Sequence, residues 1–298
     1  MPTYNRATEY RLSNMMESNR RVDETDRALC LEEDVPEQSG PLILSLDMAT
    51  ETRSVAVARG PQVLAVESYE GRSQSARDVL SAVDDVLRRA DALISDVDLF
   101  AVTRGPGSFT GLRSGLATIK GFAATLARPV VGIPTLHAVA RATRCEGRVL
   151  AVIPAGRGEV YAQLLDLPKS HGPMVELTEP VHVPPQAMLE AARESGGDVL
   201  WAGSGALLHA ESIREFALQQ TIRWRDAATL FGVDETDAPC WSLANALCSL
   251  AEAIARVALE KFMLNQTVNA DLLQALYVRA SDAELNEKWR VSNPITVP

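Results

Sequence analysis

One pattern occurs twice in this chain. Residues 42–60, LILSLDMATETRSVAVARG, and residues 149–167, VLAVIPAGRGEVYAQLLDL, each read as a buried strand, a tight polar connection and a second strand. A continuous apolar run suits a strand covered on both faces, and alternation suits its neighbour. A strand, a glycine-rich turn and a helix follow each copy, around 98–126 in the first half and at 198–208 (DVLWAGSGALL) in the second. A unit repeated in this order implies duplication, with one sheet per half.

The first half is the clearer one. SVAVAR (54–59), the turn Gly60-Pro61 and QVLAVESY (62–69) continue the first strand into an antiparallel meander. Val79, Val83, Val86, Leu87, Ala90, Leu93 and Ile94 form one apolar stripe at helical spacing. DLFAVT (98–103) is a fourth strand, 110–126 a second helix that stops before Pro129, and VVGI (130–133) a fifth strand. TLHAVARAT (135–143) opens a third helix with Thr135 as its expected N-cap, and SLANALCSLAEAIARVAL (242–259) reads as a long apolar helix. Duplicated βββαβα units of α/β class define the actin-like fold (ASKHA, the sugar kinase/Hsp70-like class). The expected divisions are an N-terminal subdomain over 41–145, a C-terminal subdomain over 146–285 and a tail over 286–298.

Residues 1–40 stand apart, with nine acids, five arginines and no apolar period. They read as a disordered extension, in part a misplaced translation start, and so many acids argue against a transit peptide. The net charge of −10 argues against tight nucleic-acid binding by this chain alone. Cys30, Cys145, Cys240 and Cys248 form no C-x-x-C pair, so a reduced, cytoplasmic setting is expected. No apolar run has the length of a membrane helix and no signal-peptide core opens the chain.

Candidate chemistry gathers at the turns. Asp47, Thr50 and Thr52, at the first hairpin, could bond phosphate oxygens or order a metal-bound water, though local sequence favours an Asp/Thr-capped turn. The second hairpin has Pro154 where a matching acid would stand, so a two-sided phosphate clamp is impaired. Arg157 beside it could attract a phosphate, face solvent or meet a partner. The stretch TRGPGSFTGLRSG (103–115) looks like a phosphate loop built on Gly105, Gly107 and Ser108, with Ser108 and Thr110 as helix caps. It satisfies neither the Walker spacing nor G-x-G-x-x-G. His137, His171, His182 and His209 show no metal-ligand spacing, and no G-x-S-x-G elbow is present. No catalytic residue and no metal site is identifiable.

The helix after that loop is rich in small residues: Gly111, Gly115, Ala117, Gly121 and Ala124. Each helical glycine costs about 1 kcal/mol relative to alanine, so close approach of another backbone is the expected reason. That backbone is either this chain's own sheet or a helix of another protein, with Leu112, Leu116 and Ile119 as an apolar ridge beside it.

Four segments together resemble the TsaB (YeaZ) family: LSLDMATETRSVAVARG, the block AVTRGPGSFTGLRSGLATIKGFAATLARPVVGIPTLHAVA, VLAVIPAGRGEVYAQLL and ALYVRASDAEL. The resemblance spans about 42–285. It implies an actin-like fold and a role in forming N6-threonylcarbamoyladenosine in tRNAs that read codons beginning with A. The family implies no catalysis by this subunit. It implies support of TsaD, the paralogue that carries the metal and transfers the threonylcarbamoyl group, with the ATPase TsaE joining and tRNA reached only through the complex. By the same resemblance the first two helices, about 75–94 and 110–126, form the TsaD contact. Val79, Val83, Leu87, Gly111, Leu112, Gly115, Leu116 and Ile119 are the expected contact residues. Asp47, Thr50, Gly105, Gly107 and Ser108 are the expected remnant of a phosphate site. No cofactor is expected on the chain itself, with ATP or ADP at the complex interface and a homodimer when the partner is absent. TsaD carries H-x-x-x-H on the corresponding helix; residues 110–126 contain no histidine. Met48 in place of threonine, Pro154 in place of an acid, and the missing histidine in GRSQSARDVL (71–80) depart from the family pattern. The competing readings are a stand-alone actin-fold ATPase or kinase, and a metalloprotease.

Overall fold

The computed structural model describes residues 40–70, 76–168, 174–225, 238–244 and 249–278. The expectations for 1–39 and for the tail 286–298 lie outside the described residues.

Leu42–Asp47 (β1), Thr52–Arg59 (β2) and Gln62–Glu70 (β3) form the expected meander. Ala76–Arg89 (α1), Leu99–Gly105 (β4), Phe109–Leu126 (α2) and Val130–Pro134 (β5) follow. The first sheet has the order β3-β2-β1-β4-β5, with β4 parallel to β1 and β5 parallel to β4. The α1 stripe ends earlier than its period suggested. Leu93 and Ile94 lie at a short 3-10 turn over Ile94–Asp96, still packed near the core at Ile94.

The second half repeats the plan with Thr135–Ala142 (α3) leading into it. Gly147–Gly156 (β6) and Glu159–Leu167 (β7) form the hairpin, with Val175–Glu176 (β8) and Val181–Val183 (β9) both pairing to β7. Pro185–Ser195 (α4), Val199–Ala202 (β10), Ser204–Leu208 (α5), Ala210–Gln219 (α6), Arg223–Arg225 (β11), Cys240–Leu243 (β12) and Leu250–Met263 (α7) complete it. β10 lies parallel to β6 and β12 parallel to β10. β1, β2, β4 and β5 thus have counterparts in β6, β7, β10 and β12. Two sheets related in this way are the actin-like arrangement.

Two local expectations are corrected. Thr135 is the first residue of α3, not its cap; Pro134 occupies the cap position and offers no side-chain acceptor. The helix expected from 242 begins at Leu250, because 240–243 is strand β12. Trp241 there is 1% exposed and stacks against Phe216 and edge-on against Trp201. Burial of an indole between two aromatic rings outweighs a helical period in a four-residue segment.

The packing is layered. Leu42, Leu44 and Leu46 face α1 and α2, while Ile43 faces α7 on the other side of the sheet. In the second sheet Leu150 and Val152 face α4 and α6, while Val149, Ala151 and Ile153 face α3. The middle layer is therefore exchanged: α3 follows the first sheet in sequence but covers the second, and α7 covers the first. A boundary at 145/146 separates the sheets and not the helices. Ser45 and Ser54, both buried, anchor the start of α7: Ser45 Oγ donates to the Ala251 carbonyl at 2.7 Å, and the Ala251 N–H donates to Ser54 Oγ at 3.0 Å. Arg141–Glu260 (3.2 Å) joins α3 to α7, and Arg144–Glu252 (2.7 Å) joins the turn after α3 to the same helix.

Candidate functional site

The Asp47 turn is inward-facing. Asp47 ends β1 with no exposed surface, and its Oδ1 accepts from Thr103 Oγ1 at 2.7 Å and from the Ala49 N–H at 3.0 Å. Thr50 Oγ1 donates to Oδ2 at 2.5 Å. Burial pushes the Asp47 carboxyl above the usual carboxylate range, and these hydrogen bonds oppose that shift. The group binds β1 to β4 and shapes its own turn.

The glycine loop brings the other expected phosphate residues beside that turn and is hydrogen-bonded to it. The Ser108 N–H donates to the Ala49 carbonyl at 2.8 Å, and the Gly111 N–H donates to Ser108 Oγ at 3.3 Å, so Ser108 is the N-cap of α2. Thr110 lies within the first turn and is not a cap. Gly105 has φ +118°, and a side chain there would collide with the Leu276 carbonyl oxygen. The Leu276 N–H in turn donates to the Arg104 carbonyl at 2.6 Å. A Cβ at Gly107 would collide with the Ala49 carbonyl. These glycines admit this chain's own backbone.

The same holds for part of α2. A Cβ on Gly111 would collide with the Met48 carbonyl, and one on Gly115 would lie 3.2 Å from the Met48 side chain. Leu112, Leu116 and Ile119, with Val79, Val83 and Leu87 of α1, are at most 8% exposed. Gly111 and Gly115 are buried too. All eight expected contact residues therefore point into the chain's own interior, for the reason that gave them their stripe: an amphipathic helix buries its apolar face. The outer face of α2 carries Ala117, Gly121, Ala124 and Thr125, all exposed. A Cβ at Gly121 would meet nothing within 4 Å among the described residues. Ala117, Gly121 and Ala124 belong to the small-residue set of this helix but lie on a different face from Gly111 and Gly115. The i, i+4 offset of Gly121 from Ala117, outside the Leu112–Leu116–Ile119 ridge, was the available signal.

In the second half, Pro154 pairs with Val160 next to an irregularity in the β6–β7 register. Gly203 (φ +100°) and Gly205 bring α5 onto β6, as Gly107 and Gly111 bring α2 onto the first hairpin. His182 Nε2 lies 2.8 Å from Glu159, and His137 Nε2 lies 3.2 Å from Glu176 on β8. Burial, aided by Lys261, Arg104 and Arg141, holds the His137 imidazole below its usual value, with Glu176 opposing. Among the described residues no group of three or more His, Cys, Asp or Glu side chains could hold a metal ion. No helix among them is long and apolar enough to cross a membrane.

The fold is actin-like, and the glycines beside its first hairpin are packed against this chain's own backbone. Comparison with known proteins identifies the group within that class. A family model described as "TsaD: tRNA N6-adenosine threonylcarbamoyltransferase" matches residues 70–192. The tRNA threonylcarbamoyladenosine biosynthesis protein TsaB of Escherichia coli is 36% identical over 169 residues, covering 55% of this chain and 71% of the relative. TsaB of Bacillus subtilis is 29% identical over 175 residues, covering 58% and 75%. The solved structure of YeaZ from Pseudomonas aeruginosa superposes with a TM-score of 0.60 at 25% identity, over 80% of this chain and 99% of that one. The chain belongs to the TsaB (YeaZ) family.

Proposed function

We propose that this chain is the non-catalytic subunit of a tRNA threonylcarbamoyladenosine-forming assembly, binding TsaD through the outer face of α1 and α2, with TsaE joining the pair. The observation that carries the reading is Gly121. A glycine inside an 18-residue helix costs about 1 kcal/mol. Gly111 and Gly115 recover that cost against Met48, whereas no neighbour among the described residues comes within 4 Å of a Cβ at Gly121. With Ala117 and Ala124 it forms a flat surface on which a second helix can approach closely, and the short side chain of Thr125 borders it. Leu80 on α1, 50% exposed, adds an apolar edge.

The turned-in Asp47 and the proline in the second hairpin favour a supporting role over phosphoryl transfer by this chain. ATP or ADP is then expected at the interface between subunits. Without TsaD, the same flat face suits self-association about a two-fold axis. Domain limits near 41–145 and 146–285 are retained for the sheets alone.

Mixing the purified chain with TsaD and resolving the mixture by size-exclusion chromatography tests the reading. A stable complex is expected with wild type, and none with Ala117→Arg or Gly121→Arg. Turnover of ATP by the chain alone, lost in Asp47→Asn, would favour the stand-alone ATPase instead.

A further inference from the structure

Resting on that docking face, we infer that its N-terminal end is a cationic-aromatic anchor that takes an acidic side chain from a helix of the protein partner. The anchor has three parts. The Arg113 guanidinium carbon lies 4.0 Å from the centroid of the Phe109 ring. The Phe109 ring lies 5.7 Å from that of Tyr277, tilted by 38°. Phe109 and Tyr277 are 39% and 48% exposed, and Arg113 is exposed as well. Tyr277 comes from the segment after α7, fixed in place by Leu273, which is 3% exposed, and by the 2.6 Å hydrogen bond from Leu276 to Arg104.

Charge identifies the occupant. α2 has only two charged residues, Arg113 and Lys120, and no acid in its first turn. Among the described residues no carboxylate lies within ion-pair distance of Arg113. The aromatic face restrains the guanidinium, so less freedom is lost when it binds a carboxylate with two hydrogen bonds. Arg113 lies one turn before Ala117 and two before Gly121, which places the anchor on the same helix face as the flat surface. Lys120 lies two turns along, about 10 Å away at 1.5 Å per residue. A partner helix with two acids seven residues apart would meet both. Two cations on a chain of net charge −10 suit a pair of carboxylates, not a run of phosphates.

Titration calorimetry of the full chain against TsaD, at low and high salt, tests this. Arg113→Glu should raise Kd tenfold or more, Tyr277→Ala about fivefold, and the salt dependence of binding should flatten in Arg113→Glu, with both variants melting as wild type does. An Asp or Glu of the partner changed to Arg should restore binding to Arg113→Glu. If Gly121→Arg abolishes binding and Arg113→Glu does not change it, the anchor is overturned and the docking face stands. If wild type does not bind TsaD at all, the docking reading fails first. Loss of tRNA binding by an intact Arg113→Glu complex would assign the anchor to RNA and overturn the inference.

Discussion

Asp47 shows how one side chain can resemble a ligand and act as a strut. Its acceptors are taken by Thr103, Thr50 and the Ala49 N–H, in a site without solvent. Its folded pKa is raised, so any stability cost of ionising it is absent below the unfolded value of 3.8 and grows as pH rises to the folded value. Asp47→Asn should therefore melt at or above the wild-type temperature near pH 7, with the gap closing on acidification. Asp47→Ala should lose about 3 kcal/mol, because the Thr103 hydroxyl and Ala49 N–H are left buried without an acceptor. Denaturant titrations across pH check both. His137 runs the other way. Its lowered pKa contributes stability above the unfolded value of 6.5 that is lost as pH falls through the folded one. His137→Gln should flatten that acid limb of the melting curve. Ser108 was legible as a helix cap and Asp47 as a turn cap from their types and places; the bond from Thr103 to Asp47 was not, because a sequence does not say whether a turn faces inward.

At the scale of one element, α2 separates what its composition merged. Its small residues were readable, and so was their need for a close neighbour. Which neighbour was not, since Gly111 and Gly121 have the same chemistry and differ only in direction. The two should respond oppositely in the isolated chain. Gly121→Ala should stabilise by about 1 kcal/mol, from helix propensity alone. Gly111→Ala should destabilise strongly, since its Cβ would collide with the Met48 carbonyl. The buried ridge behaves like Gly111: Leu116→Ala should cost about 2–5 kcal/mol. A charge at Leu112 or Leu116 would unfold the helix before it could report on a partner. Ambiguity between helix and strand at 240–243 arose from a segment too short for its period to decide, and Trp241 decided it through tertiary packing.

For the whole molecule, duplication was legible because strand patterns survive in both halves. The exchange of α3 and α7 was not, because an apolar helix does not reveal which sheet it covers. That exchange joins the halves: without α7, the first sheet would expose Ile43, Leu99, Val131 and Ile133. A fragment ending at residue 145 should accordingly bind a hydrophobic dye and lack a cooperative melt, while the full chain unfolds in one transition. α1 and α2 cover the outer side of the first sheet, the face that the proposal assigns to TsaD. The most direct measurement is nucleoside analysis of tRNA treated with TsaD, TsaE, threonylcarbamoyl-adenylate and this chain. Threonylcarbamoyladenosine should form with wild type and fall to the level without this chain when Gly121→Arg, folded and melting normally, is used. Wild-type modification by Gly121→Arg would contradict the assignment of this face to TsaD.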